Sequence, residues 1–509
     1  MKNAVKSIQR AMSNARSYEE WKGAALEYDR LCGFDDWKED DASPFYDYPL
    51  IRYRYNDLRT ARQRGDVDQL VFSLQEGLHG NLGNLANPRL YSHSAFGTKK
   101  LVTQYVDEVC RSLEYLCDTE FENFSFTKKL DFFKATGQAF GRSALMLSGG
   151  AALGLFHLGV SKALWDQDLL PTVMSGSSAG AIIVAAIGTH TKEELNDLLQ
   201  PHNLYTEAFK LVGWRSIFKG RPILDGEHLD ECLKRNVPEI TFEEAFRRSG
   251  RLINITVSPY DTHQESRLLN ARTSPSVLVR TASLASTAIP GVFPPVMLMA
   301  KNVRGELVPY IPSRKWVDGS IKNDLPMHRL ARLYGVNHTI VSQTNPHVLP
   351  FLSEHESRFE FFRDFRDAVR KNISLNAYLG LDFLRRNVPN NDLALLIDKA
   401  QSVVSQRYVG DINIVPPSIR GTWFRLTKNP TKDELKNFIE LGEVSTWPKI
   451  ELIRTTTAIS RTFEKCIHKL RLLEMKQLKN PKLEIVKASG KEGKSNIENP
   501  LDTGLDHYV

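Results

Sequence analysis

The sequence lacks any hydrophobic run long enough to cross a bilayer. Its best apolar stretch, Ala179–Gly188, falls well short of the ~18 residues a spanning helix needs, so the chain is expected to meet a membrane from the water side. Cysteine is scarce: Cys32, Cys110, Cys117, Cys232 and Cys466 are widely spaced and form no C-x-x-C pair. This argues against a zinc ribbon or a disulfide framework and points to reduced thiols in a reducing, cytoplasmic compartment. Met1 to Arg16 lacks the continuous apolar core of a secretory signal, being interrupted by Lys2, Lys6 and Arg10. A strong charge of one sign is missing too. The net +7 suits an ordinary cytosolic surface as well as contact with an anionic membrane, and nothing suggests nucleic acid. A phosphate loop is also absent: Gly493-Lys494-Ser495 has Ala488 where the leading glycine is needed. No metal or organic cofactor is expected.

What is present has the composition of a globular protein, 41% hydrophobic and 25% charged, and its 509 residues imply about two or three domains. Residues 1–140 read as a helical domain, with Ala4, Ile8 and Met12, then Trp21, Ala25 and Tyr28, at helical spacing. Within it, Asp36–Tyr48 and Gly77–Asn84 read as loops, and Lys99 and Lys100 as surface charges, as does Arg142 just beyond it. Residues 141–347 change texture. Short apolar runs at Ala144–Leu147, Thr172–Met174, Leu252–Val257, Lys315–Val317 and His338–Ser342 alternate with helical stretches. That alternation predicts an α/β domain with a doubly wound, mostly parallel sheet and helices on both faces. Residues 348–475 form a C-terminal extension, helical and charged. Its aromatic and arginine-rich part, Phe351–Arg386, fits either a lid or membrane-facing helix, or an amphipathic helix packed on the core. Residues 476–509 read as a disordered tail.

Chemistry concentrates where predicted strands end. Gly176-Ser177-Ser178-Ala179-Gly180 fits G-x-S-x-G, the sharp strand-to-helix turn that exposes a nucleophilic serine. Upstream, Ser148-Gly149-Gly150-Ala151-Ala152-Leu153-Gly154 is a second strand-to-helix turn whose N–H groups could hold an oxyanion. A dinucleotide site would need an acidic strand end about 20 residues on, where Leu169–Val173 stands instead. The serine needs a proton acceptor. Asp318-Gly319, at a strand end, is one candidate; among the histidines only His347 remains as a triad candidate.

Together these landmarks resemble the patatin-like phospholipases. Further matching stretches are Gly154–Val160, Ala288–Pro295, Asp318–Met327, Val341–His347 and Gly410–Ile412. The chain is most similar to the triacylglycerol lipase branch, whose helical N-terminal domain resembles residues 18–140. The resemblance implies a Ser178–Asp318 dyad, an oxyanion hole of the Gly149, Gly150 and Ala151 N–H groups, and structural roles for Gly154, Gly176, Gly180 and Gly319. It implies a lipid ester substrate met by peripheral contact with a membrane or lipid droplet, and leaves a second copy of the chain as a possible partner. Ala151 and Leu153 depart from the usual glycine and basic residue of the first turn. An H-x-x-x-x-D acyltransferase motif is absent. Phospholipase A or lysophospholipase activity is the alternative substrate class, and a non-catalytic lipid-binding scaffold the alternative of another kind.

Overall fold

A computed structural model describes residues 2–200, 224–261, 265–290, 292–320, 324–345, 409–417 and 429–479. His347, the Phe351–Arg386 stretch and the tail after Lys479 lie outside the described residues.

The N-terminal region comprises α1 (Lys2–Asn14), α2 (Tyr18–Cys32), α3 (Phe34–Glu39), α4 (Tyr48–Arg64), α5 (Val67–Gly77), α6 (Pro88–Ser92), α7 (Lys100–Asp118) and α8 (Phe126–Phe140). Ser17, Asp47, Asp66, Asn87 and Ser125 each accept a first-turn N–H, caps worth about 1 kcal/mol apiece. Two expectations are corrected here. The loop predicted from Asp36 begins later, because α3 carries Asp35 and Asp36 at its positive end. Its Lys38 also reaches the buried Asp29 at 2.7 Å. Lys99 is not a surface charge: it is fully buried, and its Nζ donates to the carbonyls of Trp37 (2.6 Å) and Asp40 (2.8 Å), which replace water around the ammonium. Arg142 is half-buried, donating to Glu464 at 2.8 Å and to the Thr172 hydroxyl at 3.1 Å.

The α/β part follows in the order β1 (Arg142–Leu147), α9 (Phe156–Asp166), β2 (Val173–Gly176), α10 (Ala179–Thr189), α11 (Lys192–Leu198), α12 (Gly226–Asn236) and α13 (Phe242–Ser249). It continues with β3 (Leu252–Pro259), β4 (Arg267–Asn270), α14 (Val279–Thr287), β5 (Met299–Lys301), β6 (Leu307–Pro309), β7 (Trp316–Asp318), α15 (Met327–Tyr334), β8 (Val336–Ser342) and β9 (Ile412–Ile414). The main sheet has the order β4-β3-β2-β1-β8-β9, with β7 also paired to β3. Strands β3, β2, β1, β8 and β9 run parallel; β4 and β7 are antiparallel to β3. Central β1 divides its side chains between two apolar clusters, Leu145 and Leu147 in one and Ala144 and Met146 in the other. A strand covered on both faces must be apolar at every position, which is why this one reads as a continuous run.

Two C-terminal helices close the fold. In α16 (Lys432–Thr446), Gly442 meets α9 so closely that a methyl group on it would lie 2.3 Å from the Phe156 carbonyl oxygen. Helix α17 (Ile450–Lys479) packs on α7, α8 and β1. Its Phe463 meets Phe133 edge-on at 6.1 Å between ring centroids. One apolar cluster therefore runs from Tyr18 through the sheet to Leu470.

Candidate active site

Strands β1, β2 and β8 end together, with Leu147 beside both Gly176 and Ser342. The loops that leave this edge hold the candidate residues.

The chain passes from β2 into α10 through Ser177 and Ser178 alone. Ser178 takes φ 51°, ψ −122°, a conformation that costs a non-glycine residue about 1–3 kcal/mol. Close backbone packing imposes it. A methyl group on Gly176 would lie 2.3 Å from the Gly180 carbonyl oxygen, and one on Gly180 the same distance from that of Leu147. The Ser178 N–H donates to Ser286 Oγ at 3.0 Å, and Ser286 donates to the Thr256 carbonyl at 2.7 Å.

Asp318 ends β7 opposite Val257 and is 1% exposed. Its N–H donates to the Ala288 carbonyl at 3.0 Å, and its Oδ1 accepts the Ser320 N–H at 2.8 Å. Gly319 passes against Thr256, where a methyl group would lie 2.5 Å from backbone atoms. Thr256 thus backs both the elbow and the aspartate turn. Gly149 joins them from β1: a methyl group there would lie 3.3 Å from Ser178 Cβ and 3.5 Å from Ser320 Cβ. The structure therefore gathers the elbow, the aspartate turn and the glycine turn at one point.

The glycine turn is held from outside. Gly150 presses on Thr344, whose Oγ1 would lie 2.1 Å from an added methyl group, and Gly154 presses likewise on Ala179. Ala151 has φ 49°, a left-handed conformation costing about 1–2 kcal/mol, and opens a short 3₁₀ turn, Ala151–Leu155, ahead of α9. One expectation changes: the Gly149 N–H already donates to Asp324 Oδ1 at 2.9 Å, so it is engaged within the protein and not directed at an oxyanion.

Sequence reasoning gave no role to several residues that build this turn. Asp324 is 1% exposed; it receives the Asn345 amide on Oδ2, and its carbonyl accepts Ser177 Oγ at 2.9 Å. Burial pushes its carboxyl up to about 8, reinforced by the Asp318 charge and opposed by the Gly149 N–H and Asn345. His157 is fully buried, and that burial holds its imidazole down at about 4, so it stays neutral. Its Nε2 faces the Ser148 carbonyl at 2.9 Å and must carry the proton; its Nδ1 accepts from Ser342 Oγ at 2.7 Å. Thr344 donates its N–H to Ser148 Oγ at 2.8 Å and its hydroxyl to the Gly149 carbonyl at 3.1 Å. The cue in the sequence was polar residues inside apolar, family-like stretches: His157 in Phe156-His157-Leu158, and Asp324 before Leu325-Pro326.

Beside the site lies a cavity of about 410 Å³, lined by Leu229, Leu284, Ala288, Phe293, Pro294 and Val296 together with Glu227, Asp230, Glu231 and Lys234. Ala288 links it to Asp318, and Ile182, one turn after Ser178, packs on the same apolar cluster. Among the described residues, no group of three or more His, Cys, Asp or Glu is arranged to hold a metal.

The chain is similar to known proteins. The family described as "Patatin-like phospholipase" matches residues 145–331, and the "Domain of unknown function (DUF3336)" matches residues 1–138. Triacylglycerol lipase 4 of Saccharomyces cerevisiae is 35% identical over 92% of this chain and 54% of its own length. Triacylglycerol lipase SDP1L of Arabidopsis thaliana is 33% identical over 90% and 58%. Triacylglycerol lipase ptl2 of Schizosaccharomyces pombe is 32% identical over 92% and 76%. The chain thus spans little more than half the length of the first two. The solved structure of VipD from Legionella pneumophila overlaps 62% of this chain and 66% of its own, at 14% identity and a TM-score of 0.30. On the strength of the two family matches and of the relative covered over three quarters of its length, the chain belongs to the patatin-like phospholipase family, with a DUF3336 domain ahead of the patatin-like one.

Proposed function

We propose that this protein hydrolyses acyl esters of lipids, with triacylglycerol as its main substrate and Ser178 and Asp318 as its catalytic pair. The observation that carries the reading is the strained, glycine-packed elbow at Ser178, gathered with the Asp318 turn around Gly149. Ser178 Oγ attacks the ester carbonyl as its proton passes to Asp318. With the Gly149 N–H engaged by Asp324, we assign the developing oxyanion to the N–H groups of Gly150 and Ala151. Collapse of the adduct breaks the ester bond, and Asp318 returns the proton to the departing alcohol. Water then attacks the acyl-enzyme, again giving its proton to Asp318, and releases fatty acid and free Ser178. The cavity that reaches Ala288 offers the apolar side chains of Leu229, Leu284, Phe293, Pro294 and Val296 to an acyl chain, beside the charged Glu227, Asp230, Glu231 and Lys234. The names of the relatives favour neutral lipid, and the substrate's insolubility requires peripheral contact with a membrane or droplet surface. No helix among the described residues is long and apolar enough to cross a membrane.

The test is fatty acid release from emulsions of triolein and of dioleoyl phosphatidylcholine, by wild type and Ser178→Ala. Release mainly from triolein, lost on substitution, supports the proposal. Preference for the phospholipid moves the chain to the phospholipase class with the same pair. Release that persists in Ser178→Ala, or no release at all, overturns the dyad and leaves the scaffold alternative.

A further inference from the structure

The mechanism above leaves one buried acid unused. Asp324 lies between the Asp318 turn and α15, yet it touches the ends of three parallel strands. The Gly149 N–H beyond β1 donates to its Oδ1, the Ser177 hydroxyl beyond β2 donates to its carbonyl, and the Asn345 amide beyond β8 meets its Oδ2. Gly149 immediately precedes the two assigned oxyanion donors, and Ser177 immediately precedes the proposed nucleophile. A residue that grips both neighbours, Gly149 through its carboxyl and Ser177 through its carbonyl, sets the distance between them.

We propose that Asp324 is a positioning residue whose neutral acid form keeps the oxyanion turn competent, so that its ionisation shuts the site down on the alkaline side. The proposal rests on the hydrolase reading given above. Among the described residues, the titratable groups near Asp324 include the Asp318 carboxyl on β7 and, behind Ser148 and Thr344, the neutral His157 on α9. The Gly149 N–H, the Ser177 hydroxyl and the Asn345 amide, which also meet it, carry no charge. Two buried carboxyls close enough to feel each other's charge resist ionising together, so one keeps its proton while the other serves as base. Burial and the Asp318 charge make Asp324 the protonated partner up to about pH 8. The neutral acid still accepts the Gly149 N–H on Oδ1, and its own O–H can donate to the Asn345 amide oxygen once that amide is turned. Loss of this proton places a second negative charge behind the N–H groups that must receive an oxyanion.

The test is a pH–rate profile for the full chain on p-nitrophenyl butyrate, with wild type, Asp324→Asn and Asp324→Ala. In wild type, kcat/KM should fall about tenfold per pH unit once pH exceeds the Asp324 value. Asp324→Asn keeps the shape but cannot ionise; it should be slower at neutral pH and lose the alkaline limb. Asp324→Ala releases the turn and should lower kcat more than about tenfold while KM moves less than about threefold. An unchanged alkaline limb in Asp324→Asn, or wild-type kcat in Asp324→Ala, overturns the proposal. Melting temperature gives a readout independent of turnover. The raised value makes wild type lose stability as pH climbs toward 8, so Asp324→Asn should gain on wild type over that range. A constant difference between the two refutes the neutral acid even where esterase activity is absent, while absence of activity in wild type refutes the hydrolase reading and activity that persists in Ser178→Ala refutes the catalytic pair, each separately.

Discussion

The elbow and the glycine turn are both strand-to-helix turns, both leave the same sheet edge, and both hold a non-glycine residue at positive φ, Ser178 at 51° and Ala151 at 49°. They differ in what enforces the strain. The elbow is locked from within by Gly176 against Gly180, and braced from outside by Leu147 of β1 against Gly180 and by Ser286. The glycine turn is held mainly by residues remote in sequence, Asp324 on Gly149 and Thr344 on Gly149 and Gly150, with the nearer His157 on Ser148. A turn that encodes its own shape exposes a nucleophile; a turn clamped by titratable and polar side chains can have its donors adjusted.

Substitutions separate the two. The largest effect is expected at the elbow. Ser178→Gly should cost about a thousandfold or more in ester hydrolysis, yet raise unfolding free energy by up to about 1–3 kcal/mol, since glycine adopts that φ without strain. Calorimetry alongside a lipase assay checks both, and a destabilised Ser178→Gly would show that the strain is not stored there. Next comes Gly150→Ala, which drives a methyl group into Thr344 and should displace the assigned donors. Loss of one oxyanion donor typically costs about 100- to 1,000-fold in kcat. A double substitution with Thr344→Ser should recover little of it, because Oγ1, Cβ and the carbonyl oxygen, the three nearest atoms, all remain.

How far the sequence could be read follows the same division. The elbow was legible because its determinants, an apolar strand, two glycines and a small-residue helix, lie within a few residues of Ser178. The parallel strands were legible because burial on both faces leaves unbroken apolar runs such as Ala144–Leu147. The clamp was not, since Asp324 and Thr344 meet the glycine turn, and Ser342 meets His157, only after the sheet forms, and the engagement of Gly149 by Asp324 depends on that meeting. Lys99 escaped for the same reason: its two carbonyl partners lie 59 and 62 residues away.

A smaller effect concerns His157. Its folded value is depressed to about 4 from 6.5, so the stability it contributes is complete above 6.5 and is lost as pH falls toward 4. His157→Gln should flatten the acid side of the stability profile and lower kcat by about tenfold or less through a loosened Ser148; an unchanged acid limb in urea titrations would contradict this. The smallest effect is expected at Ala151→Gly. Relief of left-handed strain outweighs the added chain entropy by under about 1 kcal/mol, with kcat nearly unaltered because only the N–H is used. A large drop in kcat would mean that the Ala151 methyl group itself shapes the site.

The central claim, that Ser178 is a nucleophile activated by Asp318, is tested most directly by covalent trapping. The full chain is treated with a long-chain alkyl fluorophosphonate and digested, and the modified peptide is identified by mass spectrometry. The account predicts a single adduct on Ser178, formed far more slowly in Asp318→Asn and not at all in Ser178→Ala. An adduct on another serine, or labelling of Ser178 at an equal rate in Asp318→Asn, would contradict it.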